Sequence, residues 1–348
     1  MKRLLIFFLL TPFVVIGQDI HFSQMNLSPL TLNPALVGAN YDLEANLNYR
    51  SQWNSVNSPF QTIGASVYSR LNPENKPTKK AYIAAGIDFF NDQAGLTNRV
   101  VSNNVNLHFA THLIVGKGST LGLGLYGGWA QRSIDPSGST WASQYDGSAY
   151  NSLISSGEDF NRASFGVFDV GTGIVYTYNF GNSRIGINDA KKINAGFAAY
   201  HLSRPNYSFL ASEERQYIRF SGFVNGSFGV QNTRLIVEPG IYFNQQGPAR
   251  EIFLGTYFKY IIIEESHYTI FVQPFTASLG VFYRNKDALV VKAMLEWNGI
   301  GLGFAYDVNT FNTLMTASKG KGAFEFALRY VVPDFSRRPY VSGGRSFF

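Results

Sequence analysis

The chain has 348 residues, with 15% charged side chains, 16% aromatics, 34 glycines, no cysteine and a formal net charge of +6. The absence of cysteine excludes a disulfide framework, a thiolate metal site and a lipid anchor on a cysteine after export. Charge well below the roughly 25% of soluble domains suits a lipid-facing wall, and the Lys and Arg are too scattered for a nucleic-acid-binding stripe.

In chain order, Lys2 and Arg3 precede an apolar run from Leu4 to Ile16 that closes on the small residue Gly17. This predicts a secretory signal over 1–17, cleaved near Gly17, because the run is short for a membrane span and turns polar at Gln18-Asp19. Residues 18–40 read as an N-terminal periplasmic or lumen segment, with Asn33-Pro34 as a turn leading into a barrel or a plug. Beyond the signal no apolar run approaches the roughly twenty residues of a membrane helix. The neutral mean hydropathy is what alternating lipid-facing and polar positions give when averaged.

Two-residue alternation begins where Leu43, Ala45, Leu47 and Tyr49 interleave with Glu44, Asn46, Asn48 and Arg50. It returns with Val105, Leu107, Phe109 and Leu113 against Asn104, Asn106, His108 and His112. It appears again with Leu289, Val291, Leu295 and Trp297 against Lys292, Glu296 and Asn298, and with Phe324, Phe326, Leu328 and Tyr330 against Glu325, Ala327 and Arg329. Such runs predict about fourteen strands (12–16), at 41–52, 60–70, 81–90, 101–116, 119–131, 163–180, 190–202, 215–230, 233–244, 250–263, 274–284, 287–298, 300–309 and 321–332.

Most are about ten residues or longer, the length of a tilted membrane strand, and only a closed sheet leaves no unpaired edge in hydrocarbon. The expectation is therefore an all-β, single-domain, transmembrane antiparallel barrel over 41–332, followed by a periplasmic tail at 333–348. Interior-facing glycines in Leu121-Gly-Leu-Gly-Leu-Tyr-Gly-Gly128 argue against the rival, a soluble β-sandwich. Gly116–Ser119, Gln231-Asn232 and Asn298-Gly299 read as periplasmic turns. Asn91–Asn103, Arg132–Arg162, Ser203–Arg215 and Thr310–Gly320 read as outer loops. Pro239-Gly240 and Pro274 suggest a bulge or a strand start.

Catalytic and metal-binding patterns are sparse. The histidines are His21, His108, His112, His201 and His267. His201 with Ser203 and Asn206 is the best local candidate for a hydrolase, against the blander reading of a histidine that orders a loop. A strand would set His108 and His112 about 13 Å apart, which suits lumen-facing polar residues and not a metal pair. Asp135, Asp146, Glu158 and Asp159 lack the ligand spacing of a calcium loop. No enzyme activity, cofactor or metal is expected.

Several blocks, in order, resemble one family. They are Gln18-Asp-Ile-His-Phe-Ser-Gln24, Pro29-Leu-Thr-Leu-Asn-Pro-Ala35 with Gly38, Tyr49-Arg-Ser-Gln-Trp53 with Ser58-Pro-Phe60, and Asp92-Gln-Ala-Gly-Leu-Thr97. Further along come His201-Leu-Ser-Arg-Pro-Asn206, Tyr283-Arg-Asn-Lys-Asp-Ala288 and Gly303-Phe-Ala-Tyr-Asp307. From Gln18 to about Val332 the sequence is similar to the PorP/SprF membrane proteins of Bacteroidetes.

The resemblance implies an outer-membrane barrel of the type IX secretion and gliding machinery. It would act in export or surface attachment of a large adhesin-like protein, with membrane lipid, that cargo and periplasmic components of the complex as partners. The matching residues to watch for partner contact are Asn33, Pro34, Tyr49, Arg50, Gln52 and Trp53, although Trp and Tyr there also fit an interfacial aromatic belt. The rival function is a passive pore for small solutes, since a barrel of this size can enclose a conduit.

Overall fold

The computed structural model describes residues 19–53, 59–71, 80–95, 99–135, 140–157, 163–180, 191–209, 214–264, 274–311, 315 and 318–332. The expected signal at 1–17, the tail at 333–348, and Glu158, Asp159 and His267 lie outside the described residues.

Fourteen strands follow one another: β1 Leu43–Gln52, β2 Phe60–Arg70, β3 Ala81–Ala94, β4 Val100–Gly116, β5 Ser119–Ile134, β6 Ser164–Phe180 and β7 Lys191–Tyr200 come first. β8 Arg219–Gly229, β9 Leu235–Gln246, β10 Ala249–Ile263, β11 Phe275–Arg284, β12 Ala288–Trp297, β13 Ile300–Asn309 and β14 Lys321–Val331 complete the set. Each pairs antiparallel with the next, and β1 closes on β14 from Glu44 opposite Val331 to Gln52 opposite Ala323, giving a closed barrel. Among the described residues no helix is long and apolar enough to cross a membrane.

The alternation settles which face meets lipid. Along β1, Leu47 and Tyr49 are exposed on the outer wall while Glu44, Asn46, Asn48 and Arg50 are buried toward the lumen. β4 and β12 repeat this, with Leu107, Phe109, Leu289 and Trp297 outward and His108, His112, Lys292 and Glu296 inward and buried. Polar residues on the inner face of a water-filled barrel would be solvated, so their burial means that something packs against them.

Most strand ends fall within a few residues of those expected from the sequence. β3 and β4 run further than predicted, because Asn91 pairs with Asn103 and Ala94 with Val100, leaving only 95–99 between them. The Asn91 Nδ2 donates to Asn103 Oδ1 at 2.7 Å, so polar residues continue the ladder past the apolar band. β8 starts at Arg219 and not 215, since Arg215 makes an isolated bridge to Asn206.

One end of the barrel, here the terminal end, carries the start of β1, the end of β14 and the tight turns at 117–118 and 298–299. The opposite, loop end carries the long connection between β5 and β6. It also carries two tight turns that the expected asymmetry omits, at 247–248 and 285–287. Pro274 immediately precedes β11, as a strand start. Pro239 makes no bulge: pairing of β8 with β9 stops at Asn225 opposite Gly240 and resumes in the same register at Phe228 opposite Val237. A proline has no N–H to donate, which interrupts the ladder without inserting a residue.

Candidate functional site in the barrel lumen

What packs against the inner face is the chain's own segment 19–42, whose hydrogen-bond partners run from the loop end of the barrel to the terminal end. Its local structure follows from its prolines. Pro29 opens a single helical turn, α1 Pro29–Leu32, and Pro34 opens a 3-10 turn at Pro34–Leu36, both at the first positions, where a fixed φ helps and a missing N–H costs nothing. Asn33 caps the second turn by accepting from Ala35 N at 2.8 Å. Phe22, Met25, Leu27, Leu30, Ala35 and Val37 are buried, so the segment brings a small apolar core into a polar lumen.

The inner wall is shaped to receive it. A Cβ on Gly124 would lie 2.3 Å from Ala35 N, and one on Gly173 would lie 2.1 Å from Asn33 Oδ1. These glycines let the segment's backbone and the Asn33 amide reach the wall. From there Asn33 Nδ2 donates to the carbonyls of Ile174 and Phe197, both at 3.1 Å.

Three polar clasps hold the segment. At the loop end, Asp19 Oδ2 lies 2.5 Å from His201 Nε2 and 3.3 Å from Arg219 Nε, while Asp19 Oδ1 accepts from Gln216 at 3.1 Å and Gln246 at 3.0 Å. His201 Nδ1 sits 2.6 Å from Asp169 Oδ2, so the ring bridges two carboxylates.

Deeper in the lumen, Ser23 Oγ donates to Asp307 and accepts from Arg50 at 2.9 Å and Arg284 at 2.7 Å, and Ser23 N donates to Glu325. Arg50 pairs with Asp307 at 3.1 Å and closely with Glu325, and Arg284 pairs with Asp307 at 2.8 Å and Glu251 at 2.9 Å. Toward the terminal end, His112 Nε2 lies 2.7 Å from the Val37 carbonyl, Arg70 Nε donates to the Gly38 carbonyl at 2.7 Å, and Lys192 Nζ donates to Asn40 at 2.6 Å.

Burial alone would lower the His201 pKa, but the Asp19 and Asp169 carboxylates raise it from 6.5 to about 9. Burial likewise opposes ionisation of Asp19, yet His201 and Arg219 hold its carboxyl well below the usual range. A raised histidine pKa stabilises the fold fully below its unfolded value and not above its folded one. This clasp should therefore contribute about 3 kcal/mol below about pH 6.5, lost as the pH rises through about 9. Urea unfolding of the folded barrel at pH 6 and pH 10 checks this, and His201→Gln should flatten the difference.

The residues singled out from sequence divide into two groups. Asn33, Pro34 and Arg50 are buried against or within the segment, and Gln52 accepts from Arg50 at 3.3 Å. Tyr49 faces outward, and Trp53 follows β1 at the loop end, edge-on to Phe60 at 5.5 Å.

His108 meets Asp88 at 2.5 Å, a different partner from that of His112, and among the described residues no metal-ligating cluster forms. Ser203 Oγ donates to Asp169 at 3.0 Å, and both ring nitrogens of His201 are taken by carboxylates, so the pair lacks the hydrogen bond a hydrolase requires. Sequence reading does not assign Asp19, Ser23, Arg284, Asp307 or Glu325 to a site. All but Glu325 lie in the family-like blocks, which is the signal that points to them.

No curated protein matches the sequence. Among solved structures the fold is similar to CdiB from Acinetobacter baumannii, with a TM-score of 0.42 and 8% identity over 83% of this chain and 60% of that one. It is also similar to the TodX deltaS2S3 mutant monoaromatic hydrocarbon channel, with a TM-score of 0.49 and 10% identity over 87% and 92%. A third likeness is to BamA from Haemophilus ducreyi lacking POTRA domains 1-3, with a TM-score of 0.39 and 8% identity over 83% and 70%. The family model for the type IX secretion system membrane protein PorP/SprF matches residues 14–330, taking in the lumen segment and nearly all of the barrel, and the chain belongs to that family.

Proposed function

We propose that the chain is a non-enzymatic docking barrel that supports export or surface attachment of a large adhesin-like protein by the type IX machinery. The closed barrel and the family fit an outer-membrane location. In this reading the signal over 1–17 is removed, the loop end faces outward and holds the exported protein, and the terminal end meets periplasmic components of the secretion or gliding complex. Tyr49 is the outward residue available to a partner, Trp53 is half-buried against Phe60 at the loop end, and Asn33, Pro34, Arg50 and Gln52 serve by fixing the lumen segment.

The observation that supports docking over conduction is the lumen itself. Residues 19–42 run through it and are held near the loop end at Asp19 and Ser23, further along at Asn33 and toward the terminal end at Gly38. A solute conduit would instead leave the buried ion pairs of Arg50 and Arg284 facing water.

Deleting the gene and comparing surface-retained with released proteins tests the reading. One large exported protein should leave the surface and appear in the medium or be degraded. Retention of many exported proteins inside the cell would point instead to the core apparatus, and no change in either would sink the docking reading.

A further inference from the structure

The barrel wall has a step at the loop end between β6 and β7. β6 is paired with β5 without a break from Ser164 opposite Ser133 to Tyr178 opposite Ser119, whereas β7 meets β6 only from Thr172 opposite Ala199 to Phe180 opposite Lys191. That shared stretch is about the length of a tilted membrane strand, so Ser164 to Val170 stand beyond it on the loop side. β7 goes no further because His201 turns the chain with a φ of 59°, its ring held by Asp19 and Asp169. The residues that follow reach the edge of β6 at two points. Leu202 N donates to the Val170 carbonyl at 2.9 Å, and Ser203 Oγ donates to the Phe168 carbonyl at 3.2 Å.

These bonds fix which way the backbone faces. Val170 and Phe168 turn their N–H and C=O groups to the β7 side, and strand alternation puts those of Gly166 and Ser164 there as well. The odd-numbered residues face β5 instead: the Ala163 carbonyl accepts from Ile134 N, and Asn179 N donates to the Gly118 carbonyl. Among the described residues no backbone group pairs with the N–H of Ser164, Gly166 or Phe168, or with the carbonyl of Ser164 or Gly166.

Strand edges are commonly blunted by a charge, a proline or a bulge. The outward positions here, Ser164, Gly166, Phe168 and Val170, carry no charge, and the pairing with β5 shows no register shift. Asp169 points inward, taken up by Tyr126, His201 and Ser203. Phe168 is 73% exposed and meets Trp129 edge-on at 4.6 Å. The indole lies across Gly166, where a Cβ would come 2.0 Å from Trp129 Cζ2. An open edge about 20 Å long is therefore bordered on its outer face by an aromatic platform.

We propose that this edge takes up an extended segment of the exported protein as an added strand. The segment's backbone pairs with Ser164, Gly166 and Phe168, and its alternate apolar side chains rest on Phe168 and Trp129. The inference rests on the docking reading, in which the loop end faces outward and meets that protein. A second copy fits the edge poorly. In one membrane its β6 runs the same way, and a two-fold axis sets the two strands in register, whereas in a parallel ladder each residue facing the partner lies opposite one that faces away.

The test is made in living cells carrying the full chain, with Phe168, or Leu254 on the lipid-facing wall as a control, replaced by a benzophenone amino acid and irradiated. Phe168 should give one adduct, with the large protein whose surface retention is lost on deleting the gene. The crosslink should map to a stretch with apolar residues at alternate positions, and Leu254 should give none. Phe168→Pro removes an edge N–H without touching the β5 ladder, and it should lower the amount of that protein held on the surface about tenfold. Phe168→Leu keeps the N–H and gives up only aromatic cross-strand contacts, so the loss should be about two- to threefold. Folding of each variant is checked by the mobility difference between unheated and boiled barrel.

No adduct at Phe168, an adduct with a second copy or another part of the same chain, or undiminished retention with folded Phe168→Pro overturns strand addition, while the docking reading stands on the deletion. If the deletion releases no surface protein, both fall together.

Discussion

Arg50→Met should destabilise the barrel by about 3–5 kcal/mol, as expected for removing one member of a buried ion pair. Arg50 is 3% exposed and lies between Asp307 and Glu325 while donating to Ser23 Oγ, so the methionine leaves Glu325 without its cation, leaves Asp307 to Arg284 alone and loosens the lumen segment. The double variant Arg50→Met, Glu325→Gln should recover part of that loss, because it removes the stranded charge. Urea titration followed by the mobility of the unheated barrel measures both. A change under about 1 kcal/mol for the single variant would mean that water already reaches this cluster and the lumen is not packed.

Gly124→Val should be as damaging for a different reason. The atoms nearest to an added Cβ are backbone: Ala35 N at 2.3 Å, Ala35 Cα at 2.5 Å and the Pro34 carbonyl carbon at 2.5 Å. None is the end of a flexible side chain, so the segment must leave the wall, forfeiting the Asn33 bonds to Ile174 and Phe197. Overpacking typically costs about 1–3 kcal/mol, and a backbone clash belongs at or above the top of that range. Thermolysin should then cut near Phe22 to Leu36 in the folded variant and leave the same stretch intact in the parent chain. Equal protection in both would contradict the close approach at Gly124.

The barrel was legible in the sequence because strand periodicity is local. Leu43 to Arg50 already shows which side of β1 meets lipid, and every strand repeats that information independently. Paths through the lumen are not local: Ser23 meets Asp307 from 284 positions away and Glu325 from 302. Nothing in the alternation distinguishes an inner-face asparagine bathed in water from one packed against a segment, so the polar residues suited a pore as well as a clasp.

The family-like blocks carried the missing information without explaining it. Asp19 and Ser23, Asn33 and Pro34, Arg50, His201, Arg284 and Asp307 come from six separate blocks, and the fold brings all six to the path of one segment. Alternation along β5 marks Gly122 and Gly124 as interior-facing, but that Gly124 makes room for Pro34 and Ala35 required the structure. Pro239 signals a local change of shape from sequence alone, while its consequence, an interrupted β8–β9 ladder beside a cavity, depends on which strand its missing N–H would have faced.

Single-channel recording of the purified intact chain in a planar bilayer tests most directly whether the lumen is closed by residues 19–42. The intact barrel should be silent, and a variant lacking 19–40 should show reproducible opening steps if it folds. A steady, reproducible conductance from the intact chain, with thermolysin showing the segment still in place, would contradict the closed lumen and make passage of small solutes the leading function.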